Sequence, residues 1–168
     1  MNEQYHRIGR DGRKYWGKAG AGIIYTDGKR VLLLKRAENG DNKGKWTVPG
    51  GKVEEGESLI DAARRESKEE CGFAGGSMFG HYDDADHRHH FHTFFYEVQK
   101  PFQCRLSHEH SDYQWVDISD VDDRELHPRL AKCWPYFKAK IKKHFMLSTG
   151  FSEWIVMCHQ GRTKVNKA

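Results

Sequence analysis

A mixed α/β fold is what this chain predicts, and three observations carry that expectation. Two short apolar runs, residues 20–26 (GAGIIYT) and 30–36 (RVLLLKR), flank an Asp27-Gly28 pair, a strong hairpin signal. A capped helical stretch follows, and a second helical stretch comes after three more strand-like segments. Strands that arrive as hairpins, with helices inserted between the groups, argue for a mixed sheet rather than a doubly wound parallel one.

The elements follow in order. Residues 37–45 (AENGDNKGK) are a polar, glycine-rich loop, and residues 46–49 (WTVP) are briefly extended because Pro49 pushes Val48 away from helix. The first helix starts at Ser58 as N-cap, with Asp61 favoured by the positive end of the helix dipole. Ile60, Ala63, Ser67 and Cys71 form its core stripe, and Gly72 ends it as the C′ residue. Residues 77–84, 90–98 and 112–117 read as strands. In the second of these, alternation puts His90, His92, Phe94 and Tyr96 on one face and Phe91, Thr93 and Phe95 on the other. Residues 126–145 look helical, with Leu130, Trp134, Phe137, Ile141 and Phe145 at helical spacing, and Pro135 inside predicts a kink or two helices. Residues 152–158 suit a last strand or a partly ordered tail.

The bulk numbers bound the function. A chain of 168 residues suits one domain, and 37% hydrophobic with 12% aromatic content supplies one core. The formal charge of +4 is mild but uneven: residues 54–70 are acidic, while 138–143 and 162–167 are basic. The basic runs read first as a solvated helix face and a frayed tail, so a nucleic-acid partner is not expected. The cysteines Cys71, Cys104, Cys133 and Cys158 form no CxxC, which argues against a disulfide scaffold or a zinc knuckle. The N-terminal stretch has no apolar signal run and no segment is long enough to cross a membrane, so a cytoplasmic protein without membrane contact is expected.

The chemistry concentrates at residues 51–73, GKVEEGESLIDAARRESKEECGF. Glu66, Glu69 and Glu70 sit at i, i+3 and i+4, on one face of a helix. Like charges packed that closely repel unless a cation sits among them. Oxygen-only ligands suit Mg²⁺, Mn²⁺ or Ca²⁺ rather than zinc.

This block resembles the Nudix box, whose pattern is G-x5-E-x7-R-E-U-x-E-E-x-G-U, with U bulky and apolar. Gly51, Glu57, Arg65, Glu66, Glu69, Glu70, Gly72 and Phe73 stand at every required offset, and the single departure is Ser67. The flanking WTVPGG, EHSDYQWV and LHPRL segments extend the resemblance over residues 18–145. The resemblance implies a Nudix fold, a mixed β-sheet sandwiched between helices (α/β/α), in one domain over residues 1–146. Residues 147–168 are then a C-terminal extension with an added strand or basic tail.

It also implies Mg²⁺-dependent (or Mn²⁺-dependent) hydrolysis of a diphosphate bond in a nucleoside diphosphate linked to another group, by metal-activated water. Glu66, Glu69 and Glu70 are the expected ligands, joined in such proteins by the carbonyl corresponding to Gly50. Glu57 pairs with Arg65 and shapes the loop, with a metal contact about as expected as a purely structural ion pair. Arg65 is grouped with the catalytic set, and Glu109 is carried over as base or extra ligand. Ser67 falls on the core stripe, where a serine gives up about 1–3 kcal/mol of burial relative to Leu or Ile; its hydroxyl can return a bond to the Ala63 carbonyl.

Arg36, Trp46, His90 and His92 are the residues assigned to substrate contact, although Trp46, Phe94, Tyr96 and Trp115 suit the core equally well. His81, His87, His89, His90, His92, His108 and His110 cluster in sequence, but their spacing fits no standard zinc site and no cysteine is close. After the box the chain has neither the proline common in ADP-ribose-preferring relatives nor the tyrosine common in those that cleave dinucleoside polyphosphates. Both absences tilt the expectation towards a nucleoside triphosphate or nucleotide sugar. Two other readings stay open: a nucleotide-sensing module of the same fold, which would be expected to lose box carboxylates, and an RNA 5′-end pyrophosphohydrolase, which would bind RNA with steep salt dependence. The apolar WIVMC run leaves a homodimer open through strand addition.

Overall fold

The Asp27-Gly28 turn sits where the Asp-Gly pair predicts it. A computed structural model describes residues 6–8, 14–16, 18–85 and 89–148, and side chains within 19–85 and 89–147. The Asp27 carboxylate accepts from the backbone N–H groups of Lys29 (3.0 Å) and Arg30 (2.8 Å), and Gly28 takes φ 97°. That positive φ is a conformation glycine adopts without steric cost.

The chain runs β1 (His6–Ile8), β2 (Lys14–Trp16), β3 (Lys18–Thr26), β4 (Arg30–Arg36), β5 (Trp46–Thr47), β6 (Gly50–Lys52), α1 (Leu59–Cys71), β7 (Ser77–Ala85), β8 (His89–Glu97), β9 (His110–Asp117), a 3₁₀ turn (Ile118–Asp123) and α2 (Pro128–Ser148). β1 and β2 pair with each other, a small hairpin that the polar N-terminal sequence did not announce. The other strands form one mixed sheet. β3 and β4 meet only at the turn, through Thr26 and Val31. They then splay: β3 runs parallel to β8 and takes β6 on its other edge, while β4 pairs with β9 and β5. β8 is flanked on its far side by antiparallel β7.

Strand alternation divides the core in two. Ala21, Ile23, Tyr25, Leu32, Leu34, Phe94 and Tyr96 face α1 and its buried Ala62, Ala63 and Cys71. Ile24, Val31, Leu33, Phe95 and Val116 face α2 through Leu130, Trp134, Phe137 and Ile141. The result is the expected sheet between helices.

α1 is bounded as its sequence dictates. The Ser58 hydroxyl accepts from the Asp61 N–H at 3.2 Å, and Gly72 ends the helix at φ 74°, its N–H bonding the Lys68 carbonyl. α2 departs from expectation. It begins at Pro128, a residue suited to the first helical position because its missing N–H has no helical acceptor there. Of the kink or two helices expected at Pro135, two helices are not found: the element continues through Pro135 as one helix. Trp134 and Phe137 beside the proline are both buried against the sheet, and this packing holds the helix across the lost hydrogen bond. The tail strand expected at residues 152–158, and Cys158 with it, lies outside the described residues.

Candidate active site

α1 brings its carboxylates to the edge of the sheet at β6. There Gly50 donates its backbone N–H to Glu70 Oε2 at 2.9 Å. Gly51 lies so close to Glu66 that a Cβ on it would stand 2.4 Å from the carboxyl carbon. At Gly50 a Cβ would stand 2.7 Å from the Ala21 carbonyl oxygen and from the Gly22 Cα, so close approach of backbone requires glycine there.

The glutamates at i, i+3 and i+4 have unequal surroundings. Glu70 is buried at 4% exposure, the Glu66 side chain is mostly covered, and Glu69 is largely exposed. Burial pushes the Glu70 carboxyl up to about 9, and the negative charges of Glu66 and Glu109 add to the effect. Burial also raises Glu66, against the lowering influence of Arg65. Glu109, in the stretch before β9, thus comes from a distant part of the sequence to face Glu66 and Glu70 from the exposed side.

Arg65 ties the loop to the helix. It bonds Glu57 at 2.8 and 3.1 Å, Glu66 at 3.1 Å, Glu69 at 3.3 Å and the Lys52 carbonyl at 3.0 Å. These bonds hold the Glu57 carboxyl below its usual range.

Ser67 is wholly buried, and its hydroxyl takes partners other than the Ala63 carbonyl. It donates to the Phe73 carbonyl at 2.5 Å and lies 2.7 Å from the Tyr25 hydroxyl. Tyr25, reaching across from β3, provides the polar partner that an apolar neighbourhood would lack.

Beside Gly50 and Gly51 opens a cleft of about 310 Å³ on the α2 side of the sheet. Arg36, Thr47, Phe91, Thr93, His110 and Arg129 contribute to its walls. The Arg129 guanidinium sits 5.4 Å over the Phe91 ring and 2.9 Å from Asp84. His127 also lines the cleft; its Nδ1 accepts from the Arg129 N–H at 3.2 Å, and Nε2 faces the Asn42 amide. Burial, then Arg36, pushes His110 down to about 4, and its buried Nδ1 has no hydrogen-bond partner among the described residues.

Of the residues assigned to substrate contact, Arg36 is in the cleft. Trp46 is packed in the α2-side core with the Arg124 guanidinium over its ring, and its neighbour Thr47 faces the cleft instead. His90 and His92 lie on the other face of β8, beside Asp83. The alternation of that strand is as read; the cleft is on the Phe91 and Thr93 side. Phe91, Thr93, His110, His127 and Arg129 were not assigned to substrate contact, and for Arg129 the signal available was its place in the LHPRL segment.

The donor set suits a hard divalent cation. Burial first, then the nearby charges of Glu66 and Glu109, favours a proton on Glu70, and a cation among the three carboxylates would take the place of that proton.

Comparison with known proteins gives a concordant answer. The NUDIX domain model matches residues 17–137. The chain is 33% identical over 144 residues to a nucleoside triphosphate pyrophosphatase/Nudix hydrolase fusion protein of Bifidobacterium longum, over 77% of this chain but only 30% of that protein. It is 31% identical over 120 residues to the asymmetrical bis(5′-nucleosyl)-tetraphosphatase of Caenorhabditis elegans, covering 62% of this chain and 81% of the relative. Among solved structures, a Nudix hydrolase from M. smegmatis superposes with TM-score 0.66 at 23% identity, over 80% of this chain and 92% of the other.

Proposed function

The chain belongs to the Nudix hydrolase family, and on that premise we propose that it hydrolyses a phosphoanhydride bond of a nucleoside triphosphate or nucleotide sugar with Mg²⁺ as cofactor. The observation that carries this reading is the meeting of Glu66, Glu70 and Glu109 at the Gly50–Gly51 rim of a cleft that also presents Arg36 and Arg129. Carboxylates on one side and guanidinium groups on the other suit a polyphosphate held between metal and protein.

Glu66 and Glu70 are the principal ligands in this reading, with Glu69, Glu57 and the Gly50 carbonyl available around them. A divalent cation bound there would neutralise phosphate charge and make a water nucleophilic near neutral pH. Glu109, at the exposed lip, accepts the proton of the attacking water. Arg65 acts through position: with its bonds to Glu57 and the Lys52 carbonyl, it fixes the loop against α1. Arg36 and Arg129 hold phosphate oxygens, and Phe91 offers a ring face to the base or sugar. No covalent intermediate is required.

The retained box carboxylates favour an enzyme over a sensing module. The C. elegans relative's name supplies a second substrate class, the dinucleoside polyphosphates. A panel of nucleoside triphosphates, nucleotide sugars, dinucleoside polyphosphates and 5′-triphosphorylated RNA, each incubated with Mg²⁺, tests the reading. The expected result is preferred release of phosphate, pyrophosphate or a sugar phosphate from the first two classes. Preference for a dinucleoside polyphosphate or for RNA overturns the substrate assignment.

A further inference from the structure

The β7–β8 hairpin carries a side-chain cluster that the hydrolytic site does not use. His90 and His92 are two residues apart on β8 and share a face. Asp83 on β7 stands directly across from His92 in the antiparallel register. His90 Nε2 hydrogen-bonds Asp83 Oδ1, and His92 Nε2 lies 3.4 Å from the same oxygen. The imidazole centroids are 4.3 Å apart. One ligand atom from each of the three side chains lies within 4.8 Å of the other two. Among the described residues this is the trio so gathered; the box carboxylates do not reach that closeness.

The geometry points to a second metal site at Asp83, His90 and His92, taking a borderline transition-metal ion of the Zn²⁺ class. Two imidazole nitrogens and one carboxylate oxygen are the ligands such an ion prefers, and they leave a position for water or an added ligand. Mg²⁺ prefers oxygen and is not expected to compete. Zinc–ligand bonds are roughly 2.0–2.2 Å, so three ligand atoms within 4.8 Å of one another are spaced as ligands around one ion can be.

The scaffold is rigid. β8 is paired along its length, with β3 on one edge and β7 on the other. Both histidines are 9% exposed, while the Asp83 side chain is 42% exposed and leaves a way in for the ion.

The site is separate from the cleft. Asp84, Phe91 and Thr93 line the cleft and alternate along the same two strands with Asp83, His90 and His92. An ion on one face therefore pins the hairpin whose other face forms a cleft wall. This is a structural metal, independent of the hydrolytic reading.

The test uses the full chain, stripped with a chelator and titrated calorimetrically with Zn²⁺ under saturating Mg²⁺. Co²⁺ absorption serves as a second readout of nitrogen ligation. Wild type is expected to bind one Zn²⁺ per chain, and Glu70→Gln to bind it equally well. Asp83→Asn and His92→Gln are each expected to weaken binding by at least ~10–100-fold, the loss seen when even an outer-shell partner is removed. Because Asp83 is half exposed, Asp83→Asn keeps the fold and decides the matter should His92→Gln not fold. Undiminished Zn²⁺ binding in Asp83→Asn, loss of binding in Glu70→Gln, or no binding by wild type under Mg²⁺ overturns the proposal.

Discussion

Ser67 and Tyr25 form a buried hydroxyl pair where an apolar contact is usual for the box, and each depends on the other. Tyr25 is fully buried, and burial raises its phenol well above the usual range despite its hydrogen bond with Ser67. Removing the serine hydroxyl leaves the phenol with the Phe73 carbonyl at 3.3 Å. Ser67→Ala should therefore cost about 1–3 kcal/mol in urea denaturation. Ser67→Leu restores the family's usual apolar residue and should be less stable than Ser67→Ala, since it overpacks and strands the phenol. A gain in stability from leucine contradicts this account. The sequence exposed the departure at Ser67 but not its remedy, because Tyr25 lies 42 positions away, on strand β3.

Titration also acts at the residue scale, with opposite signs at two sites. His110 has a folded pKa of about 4 against 6.5 unfolded. Between those values the unfolded state binds more protons, so the stability from this neutral histidine is present above pH 6.5 and lost as pH falls towards 4. His127, also lowered by burial, acts in the same direction below pH 6.5. Glu70, raised to about 9, works the other way: its contribution is greatest below pH 4.5 and declines as pH rises towards 9. Thermal unfolding of the metal-free protein should show both slopes. His110→Gln should flatten the acid one and Glu70→Gln the alkaline one; unchanged slopes count against the burial of these groups.

At the scale of elements, α1 was legible to both of its ends because its signals are local. Ser58 caps and Gly72 terminates within a turn of the residues they serve. Gly72→Ala should destabilise by roughly 1 kcal/mol or more, since φ 74° disfavours a Cβ and the added atom would meet Arg105 at 3.2 Å. The alternation of β8 was equally legible, yet which face meets the cleft was not, because that is decided by where α2 packs. The Asp83 cluster escaped for a related reason: spacing along one chain segment does not reveal a ligand contributed by the neighbouring strand. On the cleft side, Arg129→Ala removes one guanidinium from the proposed phosphate path. Steady-state kinetics should show KM raised about tenfold with a smaller change in kcat, equivalent to roughly 1.5 kcal/mol for a charge-assisted hydrogen bond.

At the scale of the whole molecule, the sheet is a device for joining remote segments. β3 and β4 separate after their turn, and the gap between them lets β6 carry Gly50 and Gly51 to the carboxylates of α1. β9 follows Glu109 directly and, paired with β4, places His110 opposite Arg36. Mixed topology and two helices were readable from the order of segments, whereas the parallel β3–β8 pairing was not, since it joins strands 71 positions apart in sequence. The measurement that bears most directly on the central claim compares wild type with Glu70→Gln on the preferred nucleotide, with and without Mg²⁺, after circular dichroism shows equal folding. Wild type should release product only with the metal, and Glu70→Gln should be slower by ~10²–10⁴-fold, the usual worth of a positioned catalytic group. Wild-type turnover in Glu70→Gln, or hydrolysis that survives chelation of the metal, would contradict the account.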